Sequence, residues 1–238
     1  MRLDLLAALN EERAARRAAI LVTDVATNEQ RFVRESEAAA DPLATLLDER
    51  FRSGKSGLVE AGGRELFLTV QVPPVRVVVI GAVHISQALA PMARGLDFDV
   101  TIIDPRTAFA TPERFPDVER LLTDWPDDAF EAIGLGPKDA VVMLTHDPKF
   151  DEPAILDAFR RGARYIGAVG SRKTQADRRA RLVEMGMTED ELAHLHGPIG
   201  LDLGGREPAE TALAILAEVV AARRGGTGAP MGTRGAAS

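Results

Sequence analysis

The chain has 238 residues, a formal net charge of −7, and 45% apolar against 27% charged residues, the balance of a folded globular protein rather than a disordered one. The acidic excess argues against a nucleic-acid or anionic-membrane partner, which would need a surplus of Lys and Arg along one face. Cysteine is absent and the four histidines include no His-x-x-x-His pair, which excludes disulfides, thiolate nucleophiles and thiolate-bound metal clusters and leaves no protein-held metal expected.

In chain order, Met1-Arg2-Leu3-Asp4 lacks the charged-then-apolar start of an export signal, and no later run approaches the ~18 apolar residues of a membrane span. The cytoplasm is the expected compartment. Residues 3–19 read as a helix with Leu5, Leu6 and Leu9 on one side and Glu11, Glu12, Arg13, Arg16 and Arg17 mostly on the other. Residues 19–25 and 30–34 read as strands joined by Thr27-Asn28-Glu29, and Asp41-Pro42 opens a second helix running to 51. Residues 57–61 and 64–72 alternate around Gly62-Gly63, a hairpin signal because both central positions of a type I′ turn need positive φ. Residues 1–72 are therefore expected to form a small α+β domain with antiparallel pairing.

Pro73-Pro74 neither continues a helix nor donates to a sheet, so it marks the boundary with a second domain, 73–224. There the rhythm becomes β-α-β. Strands are expected at 75–80, 98–103, 118–122, 140–144 and 165–169, and helices at 86–95, 127–133, 152–161, 172–185 and 207–224. Strands that are apolar throughout imply a parallel sheet covered on both faces, so the fold class is α/β, a Rossmann-like sheet with helices on both faces. Residues 225–238 have no apolar period and are expected to be a disordered tail.

In an open parallel sheet the ligand lies beyond the carboxyl ends of the strands. The first such end reads Gly81-Ala82-Val83-His84. Gly81 suits the tight turn, and a helix N-terminus that follows it favours phosphate. Val83 and Ser86 stand where the dinucleotide pattern has Gly and Gly or Ala, so the branches of Val83 hold a pyrophosphate farther from the backbone. His84 caps or packs as readily as it acts. Asp104 ends the second strand at the spacing, about 20 residues on, where an acid accepts from ribose hydroxyls, and Arg106 is placed to meet an anion.

Thr145-His146-Asp147-Pro148-Lys149-Phe150-Asp151 concentrates a hydroxyl, an imidazole, carboxylates and an ammonium at one strand end, unusual for a mere connector. Ligand contact is the favoured reading for Thr145, His146 and Asp147, with acid–base work by His146 second and Asp151 read as a helix N-cap. Gly170-Ser171-Arg172-Lys173 opens another helix: Gly170 allows close approach, Ser171 caps, and Arg172 brings charge where the dipole already favours an anion. The segment 197–205, glycine-rich yet apolar, is expected to pack across the strand ends, and Asp202 stands out within it because Leu201 and Leu203 flank it. Glu210 reads as structural, at the first turn of the last helix after Pro208.

Taken together, Asp104-Pro105-Arg106, Thr145-His146-Asp147 with Lys149-Phe150-Asp151, the run from Tyr165 to Arg172, and Pro198-Ile199-Gly200-Leu201-Asp202-Leu203-Gly204 resemble the C-terminal domain of the XdhC/CoxI family over about residues 75–224. The resemblance implies a carrier rather than an enzyme: a maturation factor that binds the molybdenum cofactor, as molybdopterin or its cytidine dinucleotide, shields it while a cysteine desulfurase installs the sulfido ligand, and delivers it to an apo molybdenum hydroxylase of xanthine dehydrogenase type. Gly81, His84, Asp104, Arg106, Thr145, His146, Asp147, Gly170, Ser171, Arg172 and Asp202 are then the expected cofactor contacts, with no catalytic or metal-ligating residue. His84 matches the family's Gly-Ala-Gly-His start; Val83 departs from it, and the family's Gly-Gly-Cys segment has no cysteine counterpart here. The alternatives are an NAD(P)-dependent oxidoreductase using Asp104 and Arg106, and a ligand-free docking module of the same pathway. A homodimer is the expected assembly.

Overall fold

The computed structural model describes residues 2–116 and 118–233. Two compact units follow one another, Met1–Pro74 and Val75–Ser238. The part of the expected tail at 234–238 lies outside the described residues.

In the first unit, α1 (Leu3–Ala14) stops short of 19 because Arg16 takes a left-handed conformation (φ 53°). The Arg17 amide then closes back on Glu12 O at 2.8 Å, the long bond of a Schellman ending. The buried Glu12 carboxylate sits between Arg17 and Arg34, at 2.6 and 2.8 Å, and their hydrogen bonds hold its pKa down to about 2. Strands β1 (Ala19–Asp24) and β2 (Gln30–Arg34) pair antiparallel. A 3-10 turn at Glu35–Ala40 follows, then α2 (Ala44–Ser53), which begins later than expected because the Asp41 carboxylate accepts from the Leu43 amide and folds a turn instead. Strands β3 (Gly57–Ala61) and β4 (Arg64–Gln71) meet through Gly62 and Gly63 at φ 58° and 72°, as a type I′ turn requires. The sheet order is β2-β1-β4-β3, and Ile20, Val22, Leu66 and Leu68 pack on Leu47 and Phe51 of α2.

The second unit runs β5 (Arg76–Ile80), α3 (His84–Arg94), β6 (Asp99–Ile103), β7 (Arg120–Leu122), α4 (Pro126–Ile133), β8 (Ala140–Met143), α5 (Pro148–Arg160), β9 (Tyr165–Ala168), α6 (Arg172–Glu184), α7 (Glu189–Ala193), β10 (Leu195–His196) and α8 (Pro208–Arg224). All pairings are parallel, in the order β10-β9-β8-β5-β6-β7, the doubly wound arrangement whose direction reverses between β5 and β8. Along β5, Val77 and Val79 enter one core with Leu89 of α3 and Ile215 of α8. Val78 and Ile80 enter the other with Phe130 of α4, Ile155 of α5 and Leu182 of α6. A strand with helices on both faces has no polar side to show, hence its continuous apolar run. At the amino end of β5 the buried Arg76 pairs with Asp139 at 2.6 Å and donates to Ile133 O, tying β5 to the α4–β8 connection.

Candidate functional site

The switch point places the end of β5 against the end of β8. Gly81 adopts φ +116°, and a Cβ there would lie 2.9 Å from Thr145 Cγ2 and 3.2 Å from the Thr145 amide. Only glycine lets the two strand ends touch. Its amide donates to Ile103 O, that of Ala82 to Asp104 Oδ2 (2.8 Å) and that of Val83 to Ser86 Oγ (2.8 Å). Ser86, in place of the pattern's glycine or alanine, is a buried brace that also donates to Val83 O. The first amides of α3, at His84 and Ile85, have no intrahelical acceptor and remain the donors for an anion. The His84 side chain is exposed.

Asp104, 1% exposed, accepts from the Ala82 amide and from the amide, Nε and Nη2 of Arg106 at 2.8 to 3.0 Å. Those contacts fill its roughly four lone-pair sites. Burial alone would raise the carboxyl, but the Arg106 guanidinium and the two amides hold it below the usual aspartate range. Arg106 in turn lies over the Phe109 ring, 4.7 Å from its centroid, and feels the Asp147 carboxylate. The loop is braced from below by Arg114, which donates to Ala82 O and Phe109 O.

At the end of β8 the expected helix start moves. Asp147, not Asp151, is the N-cap of α5, accepting from the Lys149 amide, with Pro148 as the first helical residue. Asp151 is instead 1% exposed within the helix. The Thr145 hydroxyl donates to its Oδ1 at 2.5 Å, and Arg178 of α6 donates to its Oδ2 at 3.1 Å. Burial pushes the Asp151 carboxyl up to about 6, against the Thr145 and Arg178 contacts that favour the anion. Arg178, 3% exposed, also donates to Val169 O and to Gln175 Oε1, and Gln175 donates to Ala168 O and Val169 O. One buried chain of bonds thus runs from Thr145 through Asp151 and Arg178 to the end of β9. His146 is exposed beside it and Asp147 is half-buried.

Beyond β9, Gly170 (φ +138°) lets the first turn of α6 close in: a Cβ there would lie 2.9 Å from Thr174 Cγ2. Ser171 caps α6 by accepting from the Thr174 amide, and Arg172 and Lys173 are exposed at the helix N-terminus. The segment after β10 departs from expectation. Ile199 N–H bonds Ala168 O, but Gly200 N–H then donates to Glu218 Oε2 and Leu201 N–H to Ala214 O, so the chain is drawn onto α8 rather than across the strand ends. Glu218 accepts the Tyr165 hydroxyl as well, at 2.6 Å. Asp202 is exposed, with its carboxylate accepting from Gly204 N–H, and among the described residues no hydrogen bond or ion pair joins it to the strand-end cluster. Glu210 accepts from the amides of Arg206 and Glu207, the structural role expected of it.

The arrangement therefore brings Gly81, Asp104, Arg106, Thr145 and Asp147 around one switch point, with Gly170, Ser171 and Arg172 along the same edge. Two participants were not singled out from sequence, Arg178 and Gln175. The signal for Arg178 was its spacing from Leu182, one turn on, which puts a cation on the buried face of α6. No group of three or more His, Asp or Glu among the described residues is placed to hold a metal ion, and no helix there is long and apolar enough to cross a membrane.

A family model described as the XdhC Rossmann domain matches residues 77–219. The chain is 30% identical over 159 residues to a probable xanthine dehydrogenase subunit from Bacillus subtilis, covering 67% of this chain and 46% of that protein. It is 28% identical over 151 residues to the molybdenum cofactor insertion chaperone PaoD of Escherichia coli, covering 63% of this chain and 41% of that one. The chain thus spans less than half the length of either relative. A solved structure described as a xanthine dehydrogenase from Bacillus halodurans superposes with a TM-score of 0.69 at 22% identity, covering 93% of this chain and 64% of that chain. At that identity the likeness speaks for the fold.

Proposed function

Since the chain belongs to the family of the XdhC Rossmann domain, we propose that it is an accessory factor that binds the molybdenum cofactor and helps insert it into an apo molybdenum hydroxylase of xanthine dehydrogenase type. The observation that carries this reading is the state of the acids at the switch point. Asp104 is filled by Arg106 and Ala82, and Asp151 is buried with each oxygen engaged, one by Thr145 and the other by Arg178. Carboxylates spent on holding a shape suit a carrier better than a catalyst that would use those carboxylates as its acid or base. The name of the PaoD relative points the same way.

In this reading the cargo's phosphate takes the first amides of α6, with Arg172 and Lys173 adding charge where the helix dipole already favours an anion, and the first amides of α3 are donors to the rest of the cargo. Arg106, His84, His146 and Asp147 offer donors and acceptors along the rim. Val83, with its amide already bonded to Ser86, keeps a pyrophosphate from the usual close seat, and the NAD(P) alternative would further ask Asp104 to exchange Arg106 for a ribose diol. That favours molybdopterin, or its cytidine dinucleotide held by one phosphate, over NAD(P). A cysteine desulfurase and a second copy of the chain are further partners of this proposal.

The test is delivery. Apo-hydroxylase supplied with the sulfurated molybdenum cofactor is expected to gain activity faster and to a higher yield when the chain is present. Arg172→Ala with Lys173→Ala, both on exposed positions, should weaken cofactor binding about tenfold, or ~1.4 kcal/mol, without changing unfolding. Equal yields with and without the chain would reject the proposal.

A further inference from the structure

The chain's single tryptophan, Trp125, stands 51% exposed between β7 and α4. An indole left half in water keeps part of its ring available for stacking. It is not loose. Its ring lies against Phe150, in the first turn of α5, with centroids 4.8 Å apart and planes tilted by 35°. α4 and α5 share one face of the sheet, where Phe130 and Ile155 enter the same core. The aromatic pair therefore bridges the entries of two helices that follow β7 and β8, and the strands between those two are β5 and β6, which end at Gly81 and Asp104.

The surroundings select the ligand. Asp104 N–H bonds Leu122 O, so the chain beyond β7 that carries Trp125 leaves the sheet beside the loop that carries Arg106. Arg106 is a flat, partly exposed guanidinium, and Asp147, close enough to act on its charge, caps the helix that bears Phe150. A polarisable ring face with a planar cation and a carboxylate close by fits a flat, hydrogen-bonding heterocycle, stacked on the indole and read along its edge.

We propose that Trp125, backed by Phe150, is the stacking platform for the fused heterocycle of a phosphate-bearing ligand, with Arg106 and Asp147 at the ring's edge. The identity of that ring as the pterin of the cofactor rests on the function proposed above; the platform does not. A pterin and a purine share the chemistry, and the experiment separates them.

Neopterin monophosphate, GMP and CMP are titrated against the full chain by equilibrium dialysis, and the emission of the lone indole is followed in parallel. Neopterin monophosphate is expected to bind tightest and to quench Trp125 saturably with the same constant. Trp125→Ala should weaken it about tenfold, ~1.4 kcal/mol of lost stacking, while Trp125→Phe stays close to wild type. GMP binding tighter than the pterin would uphold the platform and count against the cofactor. Binding by dialysis with no quenching at saturation, or unchanged in Trp125→Ala, would overturn the platform and leave the carrier reading standing. No binding of any of the three would remove both. Because quenching is read on the wild-type chain, the result does not depend on how well the alanine variant folds.

Discussion

Arg178→Ala is expected to lower the stability of the Rossmann unit by about 3–5 kcal/mol, because it strands a buried carboxylate rather than merely deleting a contact. Asp151 is 1% exposed and Arg178 3%. The truncation also takes donors from Val169 O and Gln175 Oε1. The loss should depend on pH with a definite sign. Asp151 has its folded pKa raised from 3.8 to about 6, so folding favours its protonated form; that contribution is complete below 3.8 and lost as pH rises through 6. Without Arg178 the anion is less tolerable still and the folded carboxyl titrates higher than in the wild type, so the charge-dependent part of the deficit grows as pH rises above 6 and fades as pH falls through 6, where both proteins carry a neutral Asp151. Denaturant unfolding read by Trp125, which lies in this unit, measures it directly. Replacing the pair together, Asp151→Leu with Arg178→Met, should recover most of the loss. A deficit independent of pH would mean that the guanidinium matters for packing and not for the charge it faces.

Gly81→Val is the second large effect, and it falls on the site. A left-handed backbone at φ +116° costs a branched residue about 1–3 kcal/mol. The added Cβ would also press on Thr145, whose side chain is pinned by Asp151 and whose amide belongs to the backbone leaving β8. The ends of β5 and β8 must then part, turning the start of α3 away from the ligand. Cofactor binding should be lost even where the variant remains folded. Gly134→Ala is the control: it is also left-handed, at φ +59°, but has nothing within 4 Å of the added carbon, so it should cost stability alone.

Much of the frame was legible in the sequence because both faces of the central strands are covered, and a strand buried twice reads as an unbroken apolar run at 75–80 and 140–144. The hairpin at Gly62-Gly63 was legible for a different reason, since few residues other than glycine tolerate that turn. The start of α5 was not. Asp147-Pro148 and Asp151 with Pro153 both look like a cap followed by a first-turn proline. The structure takes the earlier pair, carrying Pro153 inside the helix and Asp151 into the core. Helix α7 had a capping box in Thr188 and Glu191, but a five-residue helix has no apolar period to find.

The site divides along the same line. Strand-end residues such as Gly81, Asp104 and Thr145 follow from topology, which fixes where strands stop. Their partners do not: Arg178 meets Asp151 across 27 positions of chain, and among Arg172, Arg178, Arg179 and Arg181 the sequence offers only the spacing to Leu182 as a hint of which is buried. The segment 197–205 misled because glycine with apolar residues suits any covered path, and the bonds that select α8 come from Glu218 and Ala214.

In the function proposed above, this chain holds the molybdenum cofactor at the β5–β8 switch point. The most direct measurement is the pterin carried by the chain purified from cells making the cofactor, quantified by fluorescence after oxidation, for the wild type beside Gly81→Val and Gly134→Ala. Pterin is expected to approach one per chain in the wild type and in Gly134→Ala, and to be almost absent from folded Gly81→Val. Wild-type chain free of pterin, or equal pterin in all three, would contradict the claim.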